Sequence, residues 1–266
     1  ILANKKTNIK KIIIASSRAI YGEGKYKCKK HGEVYPEGRN EADMSEGKFS
    51  VKCPHCNESV ELMATDENSK IHPSSIYGIT KQVQEQVFLT MGKYLNIPTV
   101  SLRFQNIYGE GQSLSNPYTG ILSIFSTRIK KNKNINIFED GKERRDFVHI
   151  DDAVNATILA IENNTINYEA FNVGSGYPMK IKEVAKLLIK NLKSNVNVNI
   201  SGNFRLGDIR NNFADLTKVT DNLGYIPKVS IEEGMRRFSE WVNEQDVPDD
   251  KYEESIEEMK KRKLYH

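Results

Sequence analysis

KIIIASSRAIYG, residues 11–22, opens on a short β-branched apolar run and breaks into two serines. The run Lys11–Ala15 predicts a strand buried on both faces, as in a parallel sheet covered by helices. Ser16 and Ser17 fall at its carboxyl end, where a parallel strand opens toward a ligand crevice. From Tyr21 to about Ile71 periodicity is lost. Gly, Pro, Lys and Glu dominate there, with the cysteines embedded, which predicts an insertion with little core of its own.

Periodicity resumes at Ser75. Ile79, Val83, Val87 and Leu89–Met91 predict an amphipathic helix that stops before Pro98. Thr99–Phe104 then reads as a strand, Phe125–Ile129 as helical and Ile135–Phe138 as a strand. A helix is expected over Ile150–Ile161, with Asp151 or Asp152 near its N-terminus. A short strand at Phe171–Val173 precedes the best-defined helix, in which Ile181, Val184, Ala185, Leu188, Ile189 and Leu192 follow helical spacing. Alternating strands and helices predict an α/β fold with a parallel sheet. Gly174 and Gly176 look like the start of a phosphate loop, but the third glycine and the following acidic residue are missing. A tight strand–helix turn is the better reading. The tail from Asp246 is highly charged and predicts a solvated or peripheral helix.

Composition narrows the function. The 266 residues are 38% hydrophobic and 28% charged, ordinary for a chain that buries a core. No apolar run reaches membrane-spanning length and no signal-peptide pattern is present, so neither a membrane nor export is expected. A dispersed net charge of +4 does not call for nucleic acid and suits an anionic small substrate. The only cysteines are Cys28, Cys53 and Cys56, an odd number in one cluster, which points to metal ligation in a reducing, cytoplasmic compartment. The first residue is isoleucine, and the natural start is expected to lie upstream of it.

Tyr77 and Lys81 lie four apart on the helix that begins near Ser75, so both project from one face. A free tyrosine ionises near pH 10, and a tyrosine serving as general base near neutrality needs a neighbouring cation of this kind. Ser17 is placed to hydrogen-bond the same substrate oxygen. Cys28-Lys-Lys-His31 and Cys53-Pro-His-Cys56 are two ligand pairs, each separated by two residues. Together they can close one tetrahedral zinc site with three sulfurs and one nitrogen. His55 fits the spacing less well than His31. Four protein ligands leave no open position, so the zinc is expected to be structural, standing in for a core in an apolar-poor segment.

IIIASSRAIYG (12–22), SSIYGITK (74–81), LRFQNIYG (102–109), RRDFVHIDD (144–152), FNVGSG (171–176) and RLGDIR (205–210) occur in this order. Together they resemble the extended short-chain dehydrogenase/reductase family of nucleotide-sugar epimerases and dehydratases, over the whole chain outside residues 23–70 and the tail. The resemblance implies catalytic Ser17, Tyr77 and Lys81, all three beside bound NAD, with Gln105 bordering the nicotinamide where relatives carry an aromatic residue. It implies that Asn106 holds the diphosphate or sugar, that Arg145 and Arg205 pair with the diphosphate, and that Asp208 lies near the nucleotide ribose. It also implies a homodimer built through helices near Tyr77 and a role in supplying sugars for polysaccharide biosynthesis.

The same resemblance divides the chain. Residues 1–22 and 71–113 correspond to the C-terminal half of an NAD-binding Rossmann domain, an incomplete parallel sheet whose N-terminal half is expected upstream. Residues 23–70 are the zinc-knuckle insertion. Residues 114–245 are mainly a smaller C-terminal substrate domain with returning Rossmann elements, and residues 246–266 are the charged tail. Dehydratases of the family carry an acidic pair just after the catalytic Ser/Thr; here those positions are Arg18 and Ala19, so 4-epimerisation is expected. The cysteine-bearing insertion and SNPYTGILSIF (115–125) are similar to a subgroup acting on dTDP-L-rhamnose, with UDP-glucose or UDP-N-acetylglucosamine as the alternative substrates. The glycine-rich NAD loop of the family does not occur within residues 1–266. These residues alone are therefore expected to be inactive, and a non-catalytic relic or scaffold is the rival reading.

Overall fold

The computed structural model of the chain describes residues 8–114, 120–246, 252–262 and 265–266. The chain begins with β1 (Ile12–Ser17), a 3-10 turn (Arg18–Tyr21), β2 (Tyr26–Cys28), β3 (Gly32–Val34), α1 (Glu41–Ser45), β4 (Glu61–Leu62) and α2 (Ile76–Leu95). β5 (Thr99–Phe104) and β6 (Asn106–Tyr108) lead to α3 (Ile121–Lys130), β7 (Ile135–Ile137), β8 (Arg144–His149) and α4 (Ile150–Glu162). After β9 (Glu169–Val173) come β10 (Pro178–Lys180), α5 (Ile181–Asn191), β11 (Val198–Ile200) and β12 (Asn211–Asn212). α6 (Thr217–Leu223), α7 (Ile231–Glu244) and α8 (Tyr252–Lys261) close the described chain.

The expected α/β architecture is present. β1, β5 and β9 form a parallel sheet in that order, with Ser17 opposite Phe104 and Leu102 opposite Phe171. Parallel neighbours need long crossovers, and α2 supplies the one from β1 to β5. Ala156 and Ala160 on α4 pack with Val100, Leu102, Phe171 and Val173 of the sheet and with Val219 and Tyr225 beyond it. A second core joins Tyr108 and Phe147 to Leu122, Phe125, Leu188, Met235 and Phe238 from α3, α5 and α7. The helix expected on Ile181–Leu192 forms with Ile181, Val184, Ala185 and Leu188 buried as read.

Several expectations are corrected. β1 was expected to be buried on both faces, but Ala15 is exposed and Ile12 and Ile13 are half-buried. Within the described sheet β1 is an edge strand that pairs only with β5. The helix expected from Ile79, Val83 and Val87 forms as α2, with these three about half exposed while Gly78, Glu85 and Gly92 are buried. The glycines decide this: a Cβ on Gly92 would come within 2.1 Å of Thr99 Oγ1, and one on Gly78 within 2.6 Å of the Ala19 carbonyl. Helix and sheet approach too closely for larger side chains on that face.

The FNVGSG turn leads into β10 before α5, and it wraps a carboxylate rather than a phosphate. The amides of Ser175 and Gly176 donate to the buried Asp146 at 2.7 and 3.0 Å, and a Cβ on Gly174 would collide with Asp146 Oδ2. The insertion has more core than expected. β2 pairs with both β3 and β4 in a small antiparallel sheet, under which Tyr26, Cys28, Val34, Val51 and Cys53 cluster. Of SNPYTGILSIF, residues 115–119 lie outside the described residues, and Ile121–Phe125 begin α3.

Candidate functional site

Ser17 ends β1 and caps the turn that follows, its Oγ accepting from the Ala19 amide at 3.2 Å. Ser75 caps α2 in the same way, accepting from the Gly78 amide at 3.1 Å, so Tyr77 and Lys81 sit in the first two turns of a well-started helix. The close approach at Gly78 lays that helix end against the turn beside Ser17. Lys81 Nζ donates to the Ala15 carbonyl at 2.8 Å and to Gln84 at 3.2 Å, and lies 5.9 Å from the centre of the Tyr77 ring. Tyr77 is 56% exposed.

Behind this face α2 is fixed by a buried ion pair. Glu85 accepts from Arg103 Nη2 at 2.7 Å and from Ser101 at 2.8 Å, and Arg103 Nη1 donates to Tyr21 Oη at 2.6 Å. Burial pushes the Glu85 carboxyl up, but the bonds and charge of Arg103, helped by Ser16 and Ser101, outweigh it and hold the pKa below the ordinary value. Tyr21 then donates to Asn172 at 2.9 Å, linking the turn after Ser17 to β9.

The second group of expected residues comes from β6, β8 and the segment before β12. Asn106 opens β6, half-buried and paired with Phe147. Arg145 on β8 turns toward that segment: its Nη1 donates to the Arg210 carbonyl at 2.9 Å and its Nη2 to the Ile209 carbonyl at 2.7 Å. Arg205 and Asp208 are exposed, and Asp208 N donates to the Arg205 carbonyl at 3.3 Å. Ser74, just before α2, donates to the Gly207 carbonyl at 3.4 Å, which brings this segment against the start of the Tyr77 helix. Gln105 is buried and its amide donates to Asn212 at 3.2 Å, so its side chain is held between the two sheets.

Arg18 lies where charges from both groups act on it, which its sequence position did not reveal. Loss of solvation and then the charge of Arg145 lower its pKa to about 10, with Asp208, Glu23 and Tyr77 opposing. The charges of Arg145, Asp208 and the exposed Tyr77 thus all act on Arg18. Glu23, Arg39 and Arg210, buried beneath it, were not singled out from the sequence either. Several of their partners lie far away along the chain: Arg39 reaches Glu139 at 2.6 Å across 100 residues, and Glu23 accepts the Arg210 amide across 187.

In the insertion, one ligand atom from each of Cys28, His31, Cys53 and Cys56 lies within 4.8 Å of the others. Cys28 and Cys56 Sγ are 3.7 Å apart, and His31 Nδ1 is 3.5 Å from Cys28 Sγ and 3.6 Å from Cys53 Sγ. Tetrahedral zinc with ordinary bond lengths gives sulfur–sulfur edges of about 3.8 Å and sulfur–nitrogen edges of about 3.6 Å. The donor set therefore fits zinc. The His55 amide donates to Cys53 Sγ at 3.5 Å, and its ring stands outside the four-ligand group.

Residues 54–174 match the NAD dependent epimerase/dehydratase family, a span that includes Tyr77, Lys81, Gln105, Asn106 and Arg145. Over 234 residues the chain is 33% identical to a dTDP-L-rhamnose 4-epimerase of Burkholderia thailandensis, covering 88% of this chain and 63% of that one. Its structure is similar to that of UDP-glucose 4-epimerase from Thermotoga maritima with UDP-glucose, at TM-score 0.69 and 29% identity, covering 89% of this chain and 64% of the other. It is also similar to UDP-N-acetylglucosamine 4-epimerase from Methanobrevibacter ruminantium in complex with UDP-N-acetylmuramic acid. There the TM-score is 0.70 and the identity 25%, covering 90% of this chain and 64% of the other. The chain thus spans less than two thirds of the length of each of these relatives.

Proposed function

Because the chain belongs to the NAD dependent epimerase/dehydratase family, we propose that it carries the catalytic and substrate-binding residues of a nucleotide-sugar 4-epimerase. One observation carries this reading. Lys81 is hydrogen-bonded to the carbonyl next to Ser16 and Ser17, one helical turn from an exposed Tyr77. Of the three Lys81 donors, one is uncommitted among the described bonds, which fits the hydroxyls of a nicotinamide ribose. NAD, when bound, supplies the acceptor and donor of hydride.

The chain's own residues hold and move the proton. Tyr77 Oη takes it from the sugar 4-hydroxyl, Ser17 Oγ hydrogen-bonds the same oxygen, and Lys81 stabilises the phenolate form. After the 4-keto sugar has turned its other face, Tyr77 returns the proton. Arg145 and Arg205 hold the diphosphate, Asn106 the diphosphate or sugar, and Asp208 the nucleotide ribose, while Gln105 borders the nicotinamide. Arg18 and Ala19 offer no carboxyl for removing water, so the keto sugar is not dehydrated.

The proposed substrate is dTDP-L-rhamnose, supported by the Burkholderia relative; UDP-glucose and UDP-N-acetylglucosamine are the rivals supported by the solved structures. Cys28, His31, Cys53 and Cys56 hold a structural zinc, and reduced thiols suit the cytoplasm. Among the described residues no helix is long and apolar enough to cross a membrane. The exposed stripe Ile76, Ile79, Val83 and Val87 of α2 supports a homodimer in which two copies bury this face. Incubating the purified full-length protein that carries these residues with NAD and each of the three nucleotide sugars tests the activity. Formation of the 4-epimer is expected, and accumulation of a dehydrated 4-keto product would contradict it.

A further inference from the structure

The insertion does more than fold around a metal. Its Arg39 leaves the zinc lobe and enters the substrate side, where its side chain is 4% exposed. Arg39 Nη1 donates to Glu139 at 2.6 Å and to the Phe49 carbonyl at 3.3 Å, while Nη2 donates to the Asp208 carbonyl at 2.8 Å. Its Nε lies 3.4 Å from Glu23. The same two acids serve Arg210: Glu23 accepts the Arg210 amide at 2.8 Å, and Glu139 accepts Arg210 Nη1 at 2.8 Å. Two buried carboxylates are therefore shared by one arginine from the lobe and one from the segment that carries Arg205 and Asp208.

The carbonyls of that segment are held in succession. Asp208 is bound by Arg39, and Ile209 and Arg210 by Arg145. Apolar packing follows the same line, with Met44 and Phe49 of the lobe clustered on Phe204 and Leu206. Removing Arg39 leaves Glu23 and Glu139 buried without their shared cation on one side, an expensive arrangement that the segment can relieve only by moving.

We propose that Arg39 is a positioning residue, through which the inserted lobe sets the Phe204–Arg210 segment for binding a nucleoside diphosphate. The inference rests on the 4-epimerase reading of Arg145, Arg205 and Asp208 and adds to it a role for the lobe. Positioning through these hydrogen bonds predicts at least about tenfold weaker binding when the fork is lost.

The test compares the unsubstituted protein with Arg39→Ala and Arg39→Lys. Calorimetry with dTDP and UDP gives affinity, hydrogen exchange over residues 204–212 gives segment order, and the NAD-supplemented epimerase assay separates KM from kcat. Arg39→Ala is expected to weaken nucleotide binding about tenfold or more, raise KM in step, speed exchange over 204–212 and leave kcat within about threefold. Arg39→Lys, which keeps the charge without the fork, recovers part of the affinity, and it carries the test if the alanine variant does not fold. Unchanged nucleotide affinity with unchanged exchange overturns the inference while leaving the epimerase reading standing. Failure of the unsubstituted protein to bind either nucleotide overturns that reading, and the inference with it.

Discussion

Lys81 on α2 donates to the main-chain carbonyl of Ala15 on β1 at 2.8 Å. Through this bond the cation beside Tyr77 is held to the strand that delivers Ser17, so three proposed catalytic groups from two distant stretches share one frame. The frame depends on how closely α2 lies on its neighbours.

Gly78→Ala tests that closeness. In an exposed helix the change would gain about 1 kcal/mol in propensity. Here the added methyl would meet the Ala19 carbonyl at 2.6 Å and Pro73 Cβ at 2.8 Å. The variant is expected to melt below the parent and to lose at least about tenfold in kcat as Tyr77 is displaced. Calorimetry and initial rates check both outcomes.

Glu85 gives a pH signature. Its folded pKa lies below the ordinary 4.5, because Arg103 and the two serines outweigh the cost of burial. A depressed carboxyl pKa contributes stability that is present above the unfolded value and is lost as pH falls through the folded one. Acid unfolding should therefore steepen below about pH 4.5. Glu85→Ala, which strands Arg103, is expected to lose about 3–5 kcal/mol at pH 7 in urea melts, with the difference shrinking in acid.

Metal analysis tests the knuckle. About one zinc per chain is expected from a closed four-ligand site. Cys53→Ser should release it and lower the melting temperature by several degrees, whereas His55→Ala should keep it. A metal-free parent of unchanged stability would remove the zinc from the account.

These cases show what the sequence made legible. The cluster of Cys28, His31, Cys53 and Cys56 could be read because each pair is local, two residues apart, and metal chemistry limits the choice of side chain. The parallel sheet and the α5 face followed from periodicity. The buried face of α2 did not, because it is made of two glycines and a glutamate whose partner, Arg103, lies eighteen positions on. The union of Arg39 with the Asp208 segment was equally hidden, since it spans 169 residues. Ser17, Tyr77 and Lys81 are proposed as a set on their neighbouring motifs, whereas the charges that Arg145 and Asp208 exert on Arg18 could not be read from the sequence.

The exposed α2 stripe predicts assembly. Val83→Lys places a charge in the middle of the proposed interface and is expected to shift sedimentation from dimer to monomer. The helix itself should persist, since lysine is a good helix former. An unchanged dimer would place the contact elsewhere.

The central claim is that Tyr77 moves the proton in a 4-epimerisation. The direct measurement is the rate at which dTDP-L-rhamnose and its 4-epimer interconvert with NAD present, in the parent and in Tyr77→Phe. A fall of about 10²–10⁴-fold with unchanged nucleotide affinity is predicted, as for loss of a general base that binding does not need. A phenylalanine variant within a few-fold of the parent would contradict it.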